Sequence, residues 1–134
     1  MDAKLVRLVW KRARHCCEYC LIPQRYDRHT FEIDHIIAQK HLGTSTADNL
    51  ALSCFECNAH KGPNIAGFDP VTRKVTELFH PRRHRWKAHF RRQGGTLVGR
   101  TAIGRVTILV LDMNDAFRVE LRETLMAAGE FPRG

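Results

Sequence analysis

The period of the apolar positions changes several times along this chain, and each change marks an element. Leu5, Val6, Val9 and Trp10 recur at helical spacing while Arg7, Lys11 and Arg14 fall on another face, so Ala3 to Arg14 reads as a helix. Phe31-Glu32-Ile33 alternates as a short strand with Asp34-His35 at its end. A polar, turn-rich loop from Lys40 to Thr46 follows, and Asn49 to Cys54 reads as a second strand. From Asn58 the chain can start a short helix, which Gly62-Pro63 stops or kinks. The order is strand, loop, strand, short helix.

Beyond that unit the pattern is weaker. A turn is expected from Gly67 to Pro70 and a strand from Val75 to Phe79, and Gly94-Gly95 breaks the run that follows. Thr101 to Met113 reads two ways. Val106, Ile108 and Val110 alternate as in a strand, whereas Ile103, Val106, Val110 and Met113 suit a helix capped by Thr101. The helix is preferred, although Gly104 counts against it. Glu120 to Ala128 looks helical and ends at Gly129, with Pro132 beyond.

Composition narrows the class. At 134 residues and 43% hydrophobic, the chain suits one ordinary domain and not a disordered segment. No apolar run approaches a membrane span, and Met1-Asp2-Ala3-Lys4-Leu5 lacks the form of a signal peptide. The net charge of +8 is unevenly spread. Residues 31–69 hold two Lys/Arg against five Asp/Glu, while residues 70–110 hold ten Lys/Arg and only Glu77 as acid. An acidic pocket beside a strongly basic stretch suits a polyanion attacked at a cation.

Two Cys-x-x-Cys pairs, Cys17/Cys20 and Cys54/Cys57, are separated by 33 residues. Each pair can sit on a tight turn that points two sulfurs at one ion, and two such turns complete a tetrahedron around Zn²⁺. A four-sulfur site leaves no open position, so this zinc is expected to be structural. Disulfide pairing is the alternative, and the absence of a signal peptide argues against it. Zinc thiolates need a reducing compartment, and the expected location is the cytoplasm. Cys16 is assigned to packing, because Cys17 reproduces the spacing of the second pair.

Asp34-His35, Asn49 and Cys57-Asn58-x-x-Lys61-Gly62, taken together, resemble the HNH endonuclease family in its zinc-knuckle-supported branch. The resemblance runs from about Cys17 to Lys61. It implies an α+β chain with a small ββα-metal core, carrying helical N- and C-terminal extensions. The expected division is a core at about 15–64, a basic accessory region at about 65–100 and a mainly helical segment at about 101–130, all in one nuclease domain. The implied chemistry is metal-dependent hydrolysis of phosphodiester bonds in DNA. Asp34, a hard oxygen ligand, suits Mg²⁺ or Mn²⁺. Asn58 stands where the family often has His and would be the second ligand, which favours those ions over softer ones. His35 is the expected general base, since an imidazole can take a proton from water near neutral pH. Asn49 is expected to hold the ββ loop in place.

The run from His80 to Arg92 is basic with interleaved aromatics. Arg82, Arg83, Arg85, Lys87, Arg91 and Arg92 can straddle a duplex backbone, with Lys61 and His60 as phosphate contacts on the short helix. Trp86 and Phe90 have the spacing of one helical face and are assigned to a core rather than to base stacking. Double-stranded DNA is the expected partner, with no membrane. One site per chain predicts nicking by a monomer, and a homodimer would allow double-strand cuts. The alternatives are a non-catalytic zinc-stabilised nucleic-acid-binding module and a subunit of a larger defence or phage complex.

Overall fold

A computed structural model describes residues 1–132. The chain is α+β, with five helices and three two-stranded antiparallel sheets among the described residues. No helix among them is long and apolar enough to cross a membrane.

Helix α1 spans Ala3–Arg12, capped by the Asp2 carboxylate, which accepts from Leu5 N at 3.0 Å. It stops two residues before the expected Arg14, because Arg14 and His15 both take positive φ (56° and 57°) and turn the chain into the first knuckle. Strand β1 (Glu32–His35) pairs with β2 (Leu50–Ser53), placing Asp34 opposite Ala51 and His35 opposite Leu50. β2 is buried along its whole length. Helix α2 spans Phe55–Lys61 and starts three residues before the expected Asn58, because Cys54 itself caps it by accepting from Cys57 N.

The next hairpin corrects the expected turn at Gly67 to Pro70. Residues Ala66–Asp69 form β3, paired with β4 (Lys74–Glu77), and the turn falls between them. Gly67 serves packing here. A Cβ at this position would lie 2.7–2.8 Å from Val110 and Val106, so its absence lets the strand lie on the next helix. Trp86 and Phe90 do not share a helix. Helix α3 is only Trp86–His89, and Phe90 opens β5 (Phe90–Gln93), which turns at Gly94-Gly95 into β6 (Thr96–Gly99). The two rings still stack, 5.0 Å apart, and Phe90 is buried as expected of a core residue.

The ambiguous stretch is helical. Helix α4 spans Ala102–Val110, and Thr101 Oγ1 accepts from Gly104 N at 3.2 Å. Gly104 is there because a Cβ would lie 1.9 Å from the His89 carbonyl oxygen. Helix α5 spans Ala116–Ala127, one turn longer at its start than expected, because Asp115 caps Phe117 N and Arg118 N. The buried apolar residues form one cluster that runs from Val9 through Tyr19, Leu50 and Leu52 to Phe90, Val106 and Met113.

Candidate metal centre and the adjoining cleft

The sulfurs of Cys17, Cys20, Cys54 and Cys57 all lie within 4.8 Å of one another, and the four residues are buried. Both knuckles have the same local form: Cys20 N donates to Cys17 Sγ and Cys57 N to Cys54 Sγ. This repeated turn is why a two-residue gap converges two sulfurs on one point. The donor set fits a tetrahedral thiolate site for zinc. Cys16 lies outside the four, with its thiol turned to the Arg14 carbonyl.

Arg118 was not singled out by sequence reasoning. Its Nη2 donates to Cys57 Sγ at 2.8 Å and lies 4.0 Å from Cys54 Sγ, while Nη1 donates to the carbonyls of Leu111 and Asp112. No local signal marks it, since 61 residues separate donor and acceptor.

The first knuckle also touches the end of β1. Tyr19, fully buried between Cys17 and Cys20, donates its hydroxyl to Asp34 Oδ2 at 2.7 Å. Its backbone carbonyl accepts from Trp86 Nε1, also at 2.7 Å. Asp34 is 6% exposed, and burial pushes its carboxyl above the ordinary value, with Lys61 and the Tyr19 hydroxyl pulling the other way.

A cleft of about 320 Å³ lies at the end of β1, bordered by Asp34, His35, Lys40, Asn58, Gly62 and Pro63 among others. Adjacent strand residues ordinarily point to opposite faces, but β1 ends at His35, and both residues border the same cleft. His35 Nε2 is 2.8 Å from Ser45 Oγ in the ββ loop. Asn58 Nδ2 donates to Glu32 Oε2 at 3.3 Å. A carboxylate only accepts, so this bond turns the amide oxygen of Asn58 away from Glu32. Asn49 is buried and clamps the loop: its amide donates to the Ile37 and Thr44 carbonyls and its oxygen accepts from Ile37 N.

Two expected phosphate contacts stand elsewhere. Lys61 is 1% exposed, and its ammonium bonds Asp34 and the carbonyls of His35 and Ile36. Arg82 is largely buried in an ion pair with Glu18. Arg83 pairs with Glu77 at 3.5 Å, and exposed His60 lies 3.7 Å from Glu56. Arg85, Lys87 and Arg91 are exposed, and Arg92 lies over the Trp86 ring.

Residues 17–64 match the family model described as HNH endonuclease. The matched segment holds both knuckles, β1, β2 and α2. No curated protein and no solved structure matches the chain.

Proposed function

We propose that the protein is a metal-dependent HNH endonuclease that hydrolyses phosphodiester bonds in double-stranded DNA. The observation that carries this reading is that Asp34, His35 and Asn58 border one cleft, at the end of β1 and over α2. Binding nucleic acid alone requires none of the three.

Asp34 and Asn58 would hold Mg²⁺ or Mn²⁺. A carboxylate has about four lone-pair positions. Tyr19 takes one and Lys61 approaches both oxygens, which leaves room for a cation bound through a single oxygen. The amide oxygen of Asn58 is the other donor. Such a two-oxygen set suits a cation that keeps most of its waters and takes the rest of its ligands from phosphate. When bound, that ion supplies Lewis-acid stabilisation of charge on the phosphate and on the leaving oxygen.

The chain's own residues do the rest. His35 accepts the proton of the attacking water, with Ser45 orienting its ring through Nε2. Asn49 holds the loop that carries Ser45 and the backbone just after His35. The zinc set is structural, and its thiolates suit the reducing cytoplasm. In this reading residues 1–134 act as one unit, with the core at about 15–64 performing the chemistry. Arg85, Lys87, Arg91 and Arg92 supply backbone affinity with little sequence preference. One site nicks one strand, and a homodimer would cut both.

A second reading rests on Lys61. Its ammonium, 3.1 Å from Asp34 Oδ2, is a cation already in contact with the expected ligand. That favours a zinc-stabilised nucleic-acid-binding module that does not cleave. A plasmid-nicking assay on zinc-replete protein decides between them, run with Mg²⁺, Mn²⁺ or EDTA beside His35→Ala. Relaxed product that requires both added metal and His35 supports the nuclease. Tight DNA binding with no product in either cation supports the binding module.

A further inference from the structure

Arg118 and Arg122 lie one turn apart on α5, and both are buried, 6% and 1% exposed. Neither has a carboxylate within ion-pairing distance among the described residues. Arg122 donates to the carbonyls of Gly95 and Met113 at 2.7 Å and to Asn114 Oδ1 at 3.3 Å, all neutral acceptors. Arg118 donates to two carbonyls and to Cys57 Sγ. Arginine is almost never fully buried unless paired, so two buried positive charges need a counter-charge.

The four cysteines provide one. Zn²⁺ with four thiolates carries a formal charge of −2, and Arg118 hydrogen-bonds one of its sulfurs directly. Two disulfides would be neutral and would leave both guanidinium groups uncompensated in the interior. The pairing therefore also bears on the oxidation state of the cysteines. We propose that α5 is part of the metal centre: Arg118, with Arg122 behind it, neutralises the zinc tetrathiolate and sets how tightly the metal is held.

This has a consequence for the C-terminal segment. Arg118 Nη1 holds the carbonyls of Leu111 and Asp112, at the end of α4, while Nη2 holds the sulfur. Arg122 in turn holds Gly95, in the β5–β6 turn. Zinc, α4, α5 and that turn are joined through two side chains, so loss of the metal should loosen all of them. The inference is independent of whether the cleft cleaves DNA.

The test uses the full chain. Zinc transfer to a metallochromic chelator is timed for the native protein, Arg118→Met, Arg118→Lys and Arg122→Met, with folding checked by circular dichroism. Outer-sphere partners of metal ligands typically matter by 10–100-fold. Release from Arg118→Met should therefore be faster by about tenfold or more, with Lys partly restoring it and Arg122→Met giving a smaller effect. Co²⁺-loaded protein gives a signature that a merely structural role would not move. Losing the bond to sulfur should shift the thiolate-to-cobalt charge-transfer band of Arg118→Met to longer wavelength. Unchanged release and an unchanged band in folded Arg118→Met would overturn the proposal. If Arg118→Met does not fold, hydrogen exchange on the native protein serves instead. Zinc removal under reducing conditions should deprotect α5, and unaltered α5 exchange would equally overturn it.

Discussion

Lys61 Nζ lies 3.1 Å from Asp34 Oδ2, and both side chains are buried. The same ammonium holds the carbonyls of His35 and Ile36, so one cation ties the end of β1 to the last turn of α2. Removing one partner of a buried pair leaves the other charge uncompensated. Lys61→Met should destabilise the protein by about 3–5 kcal/mol. Chemical denaturation measures this, and a loss within experimental error would show that the buried pair contributes no net stability. The salt dependence of DNA binding should not change.

The exposed cations should behave in the opposite way. Arg85→Glu with Arg91→Glu should flatten the salt dependence of DNA binding, because contacts to phosphate release counterions. Their effect on melting should be small. Arg82→Ala, by contrast, breaks the pair with Glu18 and should act mainly on stability. Equal salt slopes for the native and doubly reversed proteins would assign that run to solubility alone.

Asn49→Ala removes the three bonds that clamp the ββ loop and leaves partly buried backbone groups of Ile37 without these partners. The expected cost is about 1–3 kcal/mol for a buried group left without its partner. Cleavage should fall as well, since Ser45 and His35 are no longer held in register. Full activity with a lowered melting temperature would confine Asn49 to stability.

Two carboxyl groups should give opposite pH signatures. The hydrogen bonds from Arg105, and then those from Thr72 and Val71, hold the Asp69 carboxyl well below its ordinary value. Its contribution is present above the unfolded value of about 3.9 and is lost as pH falls through the depressed folded value. Asp34 is raised by burial, so its ionisation costs stability as pH climbs from the unfolded value through the raised one. Asp69→Asn should therefore flatten the acid limb of a melting-temperature profile. Asp34→Asn should remove the fall at higher pH while lowering stability throughout, because it leaves the buried Lys61 ammonium without its carboxylate. Parallel profiles for native protein and both variants would refute these assignments.

Cys54→Ser should lower zinc content and thermal stability together, since Cys54 supplies a sulfur and also caps α2. An unchanged zinc stoichiometry would sink the four-sulfur site.

Much of the core was legible because its signals are local. A two-residue gap between cysteines makes the same turn twice, and the alternation at Phe31-Glu32-Ile33 marks the strand that ends at His35. Thr101 marked its helix through a side chain that bonds three residues on. Of the hairpin at Ala66–Glu77 only the second strand was expected, at Val75 to Phe79 against the observed Lys74–Glu77. The hairpin at Phe90–Gly99 was missed, because short strands of mixed polarity have no period of their own. Their register depends on what α4 offers them, as Gly67 against Val106 and Val110 shows.

By itself the sequence determined which groups could meet: four thiols, an Asp-His pair at a strand end, and an asparagine on the helix after the second knuckle. Only the tertiary structure decided which charges stay in water. Lys61 reads as a surface cation of a short helix, yet β1 packs over it and every donor it has is satisfied inside. Arg118 falls before the helix expected from Glu120 and carries no local mark, yet it ends 2.8 Å from a sulfur 61 positions away. Burial of an ion depends on partners brought from distant parts of the chain, and no local pattern records them.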